Sequence, residues 1–143
     1  MTSATLASEF VTDTMGLVLR IKQRRLPSPV KAIFDAVESG DATVYVPTMV
    51  FAEILYLVEK HRISVSLRAV AEHLEQFQHY REYPMSFAVI QAAAHIIDIP
   101  ELHDRLIAGT ARLLHLDLIT NGPDHTSLGF CENSVVDPSH VSM

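Results

Sequence analysis

The chain has 143 residues, 48% of them hydrophobic and 20% charged, enough for one ordinary domain that buries about two thirds of its unfolded surface. Eleven Lys and Arg against seventeen Asp and Glu leave a net charge of −6, which argues against holding nucleic acid by bulk electrostatics but leaves room for an acidic site that recruits metal ions. The single Cys131 rules out an internal disulfide and fits a reducing compartment. The opening MTSATLASEF has no basic or apolar leader pattern, and the longest apolar run, Val44 to Val58, is interrupted by Glu53 and too short for a bilayer, so the expectation is a cytoplasmic protein with no membrane segment.

Phe10, Val11 and Thr12 form a short β-leaning run, and Asp13-Thr14 behind it cap helices well. A helix is predicted from about Thr14 to Arg25, apolar along Met15, Leu17, Val18, Leu19 and Ile21. It ends in Arg20, Lys22, Arg24 and Arg25 before Pro27 and Pro29, cations that suit equally a helix C-terminus or a phosphate contact. Ser28-Pro29 opens a second helix through Val37, stopped by Ser39-Gly40-Asp41, and Thr43 to Val46 reads as a strand. Pro47-Thr48 opens a third helix whose residues Met49 to Val58 are apolar nearly all round, the pattern of a buried helix, with Glu53 the one charge in its first three turns.

Val65 to about His79 is amphipathic, and Glu82-Tyr83-Pro84-Met85 suits an edge strand because Pro84 cannot donate to a central ladder. Ser86 to Ile97 reads as a helix. Asp98 to Glu101 has capping-box spacing, so the next helix starts at Pro100 or near His103 and carries Asp104 on a largely apolar face with Ala108 and Ala111. Leu116 to Thr120 is the last clear strand. Asn121-Gly122-Pro123-Asp124 is a turn, Ser134 to Val136 an expected edge strand, and residues 1–8 and 138–143 are expected frayed ends of a single domain over 1–143. Short apolar strands alternating with longer helices imply an α/β sandwich around a parallel sheet.

Such a sheet collects ligands at the carboxyl ends of its strands. Asp13 ends the first strand, Glu53 lies in the early turns of the helix leaving the second, and Asp104 sits near the start of the helix feeding Leu116 to Thr120. Three acids distant in sequence thus reach one edge. They would raise one another's pKa unless a divalent cation, Mg²⁺ or Mn²⁺ by their hard oxygens, neutralised them, and such a site suits in-line attack of water on a phosphodiester. Taken singly, Asp13 also suits an N-cap and Asp104 a first-turn acid favoured by the helix dipole, whereas Glu53 needs a buried partner. His103 reads as a solvated or loop-bonded histidine.

VTDT at Asp13, VPTMVFAEILYL at Glu53, DRLIAGTA at Asp104 and the LIT strand at Leu118 to Thr120 resemble the PIN-domain ribonucleases, and within them the VapC toxins, over roughly residues 9 to 124. The resemblance implies a three-layer α/β/α sandwich around a short, mainly parallel sheet of four to five strands. It also implies Mg²⁺- or Mn²⁺-dependent endoribonuclease activity, an RNA substrate, homodimers and a small antitoxin partner, for which the first two helices and the Val65 to His79 helix would supply apolar faces. Asp13 and Asp104 would ligate the metal and Glu53 would ligate it directly or through the attacking water, with Thr14, Thr120 and Asn121 as supporting donors. Met15 stands where the family often has Asn, and Gly122 where a further Asp is common, with Asp124 nearby in the turn. The rival from another class is a PIN-like module that acts by binding protein or RNA with weakened turnover. A receiver domain lacks its Lys near the sheet end, a dehalogenase-type phosphatase lacks its second Asp at Met15, and the scattered histidines show no zinc motif.

Overall fold

The structure, a computed structural model, describes residues 8–120 and 129–131. The Asn121 to Asp124 turn, the Ser134 to Val136 strand and the expected frayed ends, apart from Ser8, lie outside the described residues. Along the chain run β1 (Glu9–Thr12), α1 (Thr14–Ile21), α2 (Ser28–Glu38), β2 (Thr43–Pro47), α3 (Thr48–Glu59), α4 (Leu67–Gln76), β3 (Tyr80–Tyr83), α5 (Phe87–Ala94), α6 (Leu102–Leu114), β4 (Asp117–Thr120) and β5 (Gly129–Cys131). The sheet order is β3-β2-β1-β4-β5, parallel throughout except for β5, which pairs antiparallel with β4. Six helices flank it in a three-layer α/β/α sandwich. Val11, Val44, Val46 and Ile119 are buried on the strands and Leu17, Phe34, Val50, Ile54 and Ile107 on the helices, the continuous apolar strands that a sheet covered on both faces requires. No helix among the described residues is long and apolar enough to cross a membrane.

The expected order of elements holds, and the differences have local causes. α1 stops at Ile21, short of Arg25, because Gln23 adopts a left-handed conformation (φ 57°) and its N–H and that of Arg24 turn back to Arg20 and Leu19. The same double closure ends α2 at Gly40, α3 at His61 and α6 at His115, so three of the four closures place a side chain where glycine is the unstrained residue. The third strand, at one edge of the sheet, comes earlier than expected, Tyr80–Tyr83, with Pro84 just beyond it. β5 had no distinct signal in the sequence. The expectation of a buried α3 is corrected: only Val50 and Ile54 are buried, while Leu55 and Tyr56 are 43% and 52% exposed. Phe87, Ile90, Ile97 and Leu102 extend this apolar exposure around α5 and the start of α6. Beneath that surface α5 and α6 meet backbone to backbone, since a Cβ on Gly109 would lie 2.9 Å from the Ala93 nitrogen and 3.1 Å from the Val89 carbonyl.

Glu38, the last residue of α2, gathers charge from three other elements. Arg20 grips both its oxygens (Nε to Oε2 3.1 Å, Nη2 to Oε1 2.9 Å), Tyr80 donates its hydroxyl to Oε2 at 2.5 Å and His73 Nε2 lies 2.9 Å from the same oxygen. Asp35 takes Arg20 and Lys31 at 2.7 and 3.0 Å. Arg20 lies in the last turn of α1, as the helix-terminus reading expects, and its guanidinium is taken up by Glu38 and Asp35. Burial pushes the Glu38 carboxyl up, but the bonds from Arg20, Tyr80 and His73 outweigh it and hold the carboxyl below the ordinary glutamate range.

A carboxyl with a depressed folded-state pKa stabilises fully above its unfolded value and loses that contribution as pH falls through the folded value. Urea midpoints are accordingly expected to be flat above about pH 5 and to fall below it, with Glu38→Ala abolishing most of the fall and costing about 2–4 kcal/mol at neutral pH. Conversely, His115→Gly relieves a left-handed side chain and is expected to raise stability by about 0.5–1 kcal/mol in the same titration.

Candidate active site at the carboxyl edge of the sheet

β1 is the central strand, and its carboxyl end delivers Asp13 to the edge where α1 begins. Asp13 caps α1: its Oδ1 accepts the Gly16 N–H at 2.8 Å, its Oδ2 accepts the Thr120 hydroxyl at 3.0 Å, and its main-chain N–H bonds the Ile119 carbonyl at 2.9 Å. The capping role and the edge position expected for Asp13 thus coincide. Gly16 makes the cap possible, because a Cβ there would stand 2.8 Å from Thr12 Oγ1 and 3.1 Å from Asp13 Oδ1. Buried Thr12 supports the turn by donating its hydroxyl to the Asp13 carbonyl at 3.0 Å.

Glu53, in the second turn of α3, finds two partners. The Thr14 hydroxyl donates to Oε1 at 2.5 Å, and Oε2 lies 3.2 Å from His103 Nε2. The same nitrogen is 3.5 Å from Asp104 Oδ1, and His103 Nδ1 is 3.9 Å from Glu101 Oε1. Asp104 is in the first turn of α6 with its side chain 44% exposed, so it stands at the rim of the apolar helix and not stranded within it. Burial raises its carboxyl above the ordinary aspartate range; His103 opposes the shift, and Glu53 and Glu101 add to it.

The fold therefore brings the predicted acids to one edge as two linked contacts: Asp13 adjoins Thr14, which holds Glu53, and His103 joins Glu53 to Asp104. Thr14 and Thr120, expected as supporting donors, each bond one of the carboxylates, while Asn121, Gly122 and Asp124 lie outside the described residues. Sequence reasoning passed over Thr12 and Gly16 as supporting residues and read His103 as a solvated or loop-bonded histidine, whereas its Nε2 lies near both Glu53 and Asp104. A glycine in the first turn of a helix, unfavourable by about 1 kcal/mol against Ala, was a legible signal of close approach. For His103 the sequence offered only adjacency to Asp104.

Carboxylate and hydroxyl oxygens are the donors a hard divalent cation takes. Among the described residues, however, no three His, Cys, Asp or Glu side chains stand grouped as a ready-made cage. Asp13 directs both oxygens to Gly16 and Thr120, and His103 stands between Glu53 and Asp104. The donor set fits such an ion in kind; its spacing is that of the His103-bridged arrangement.

Residues 11–130 match the PIN domain family. No curated protein matches the chain. Among solved structures, the crystal structure of VapBC2 from Rickettsia felis bound to a DNA fragment from its promoter is similar with a TM-score of 0.60 and 17% identity, covering 81% of this chain and 89% of the other. A toxin–antitoxin complex from Klebsiella pneumoniae is similar with a TM-score of 0.54 and 16% identity, covering 80% and 87%. At these identities the likeness is one of fold.

Gly16→Ala is expected to force the Thr12 hydroxyl and the Asp13 carboxylate off the cap, lowering thermal stability by about 1–3 kcal/mol and removing the Gly16 amide's protection from hydrogen exchange.

Proposed function

The chain belongs to the PIN-domain family, and on that premise we propose that it is a Mg²⁺- or Mn²⁺-dependent endoribonuclease, the VapC-type toxin of a toxin–antitoxin pair. The observation that carries this reading is the meeting of Glu53 and Asp104, from two different helices, at the strand edge that Asp13 ends. Asp13 and Asp104 would ligate the ion, and Glu53 would ligate it directly or through the attacking water. A divalent cation there supplies a water activated for in-line attack and neutralises charge on the scissile phosphate. The chain's own residues hold the geometry: the Thr14 hydroxyl fixes one oxygen of Glu53 and leaves the other facing the His103 ring, while the Gly16 N–H and the Thr120 hydroxyl fix Asp13. With a net charge of −6, the RNA is gripped locally at this edge and not by a general basic surface.

The two similar structures contain toxin–antitoxin assemblies, which supports a small antitoxin protein as partner. The exposed apolar side chains of α3 and α5, Leu55, Tyr56, Phe87 and Ile90, offer surface for that association and for a homodimer. A cytoplasmic setting suits the single Cys131. The other reading, a binding module with weakened turnover, draws on the His103-bridged spacing.

Cleavage of an RNA pool in Mn²⁺ separates the two. Asp104→Asn and Glu53→Gln are each expected to reduce cleavage at least about 100-fold and to weaken Mn²⁺ binding in calorimetry, while the half-exposed Asp104 variant melts within a few degrees of wild type. Cleavage that survives Asp104→Asn sinks the nuclease mechanism proposed here, and a wild type that binds RNA or protein without cleaving leaves the binding module.

A further inference from the structure

Three carboxylates, Glu53, Glu101 and Asp104, surround one imidazole, and among the described residues no Lys or Arg lies within ion-pair distance of any of them. Among the described residues His103 is the basic side chain within ion-pair distance of these carboxylates. Its Nε2 reaches Glu53 at 3.2 Å and Asp104 at 3.5 Å, so one atom sits where an ion shared by those two carboxylates would have to sit.

We propose that His103 is an internal competitor for the metal, its ring standing between Glu53 and Asp104 and giving way when a divalent cation arrives, so that it sets the ion concentration at which the site assembles. This rests on the metal-dependent reading above. The competition is positional. The oxygens Oε2 and Oδ1 that face Nε2 are those an ion between the two carboxylates would take, and each can turn to the ring or to the ion but not to both in the same place. Displacement is local: His103 is on the first turn of α6 with its side chain 36% exposed, beside Leu102 at 59%, so the ring swings into solvent without opening the core. Glu53 stays held from its other oxygen by Thr14, so it keeps its place when the ring departs.

The test is calorimetric titration of Mn²⁺ into wild type, His103→Ala and His103→Gln at one pH and salt concentration. His103→Ala is expected to bind about tenfold more tightly than wild type, with His103→Gln, which keeps a donor, in between. In wild type the His103 ring resonances are expected to move with Mg²⁺ occupancy toward solvent-exposed values. Equal affinities, or ring signals that ignore Mg²⁺, overturn the competitor. Weaker binding by His103→Ala overturns it too, by making His103 a ligand. If no form binds, the metal-dependent reading itself fails and takes this inference with it. A cooperative melt of metal-free His103→Ala near the wild-type temperature establishes that the variant compared is folded.

Discussion

Everything at the carboxyl edge is referenced to Asp13, whose two oxygens join three elements at one point. β1 runs through the middle of the sheet, so its end is fixed from both sides by parallel neighbours. From there one oxygen starts α1 and the other closes on Thr120 at the end of β4. The next residue, Thr14, carries the register across to α3 by way of Glu53. A parallel sheet forces each connecting helix to return across it, and this is why α6 begins at the same edge and brings Asp104 there.

The opposite end of α1 is held by charge of the other sign. α1 is only eight residues, about 12 Å long, with a carboxylate cap at its start and Arg20 in its last turn clasped by Glu38 and Asp35. Through Glu38 that clasp extends to His73 on α4 and Tyr80 on β3, so α1 behaves as a strut pinned at both ends. Against this fixed frame the His103 side is the looser part: its contacts are longer, and the His103 and Asp104 side chains, in the first turn of α6, are 36% and 44% exposed.

Periodicity and caps made the order of elements legible, because hydrophobic spacing and Pro, Ser and Gly punctuation report burial and helix ends directly. What they could not convey was tertiary. Gln23, His61 and His115 end helices in a conformation whose usual sequence mark is glycine, so α1 was expected to run on to Arg25. An apolar helix such as α3 has the same pattern whether its far side meets a core or lies open; the structure leaves Leu55 and Tyr56 outside. The three acids were visible as isolated charges in apolar surroundings. Their linkage was not: Thr14 to Glu53 and His103 to both Glu53 and Asp104 are contacts between chain segments that no local spacing encodes.

The close approach of α5 and α6 has a genetic consequence. At Gly109 even one methyl group meets main-chain atoms of Val89 and Ala93, which have no alternative rotamer to adopt, so the only response is for the two helices to part. α6 carries Asp104 in its first turn, and Asp104 would move with the helix. A selection for loss of function would therefore return alleles at Gly109 alongside those at the carboxylates proposed to act, and a map of inactivating substitutions drawn without the fold would place the proposed site too far along the chain.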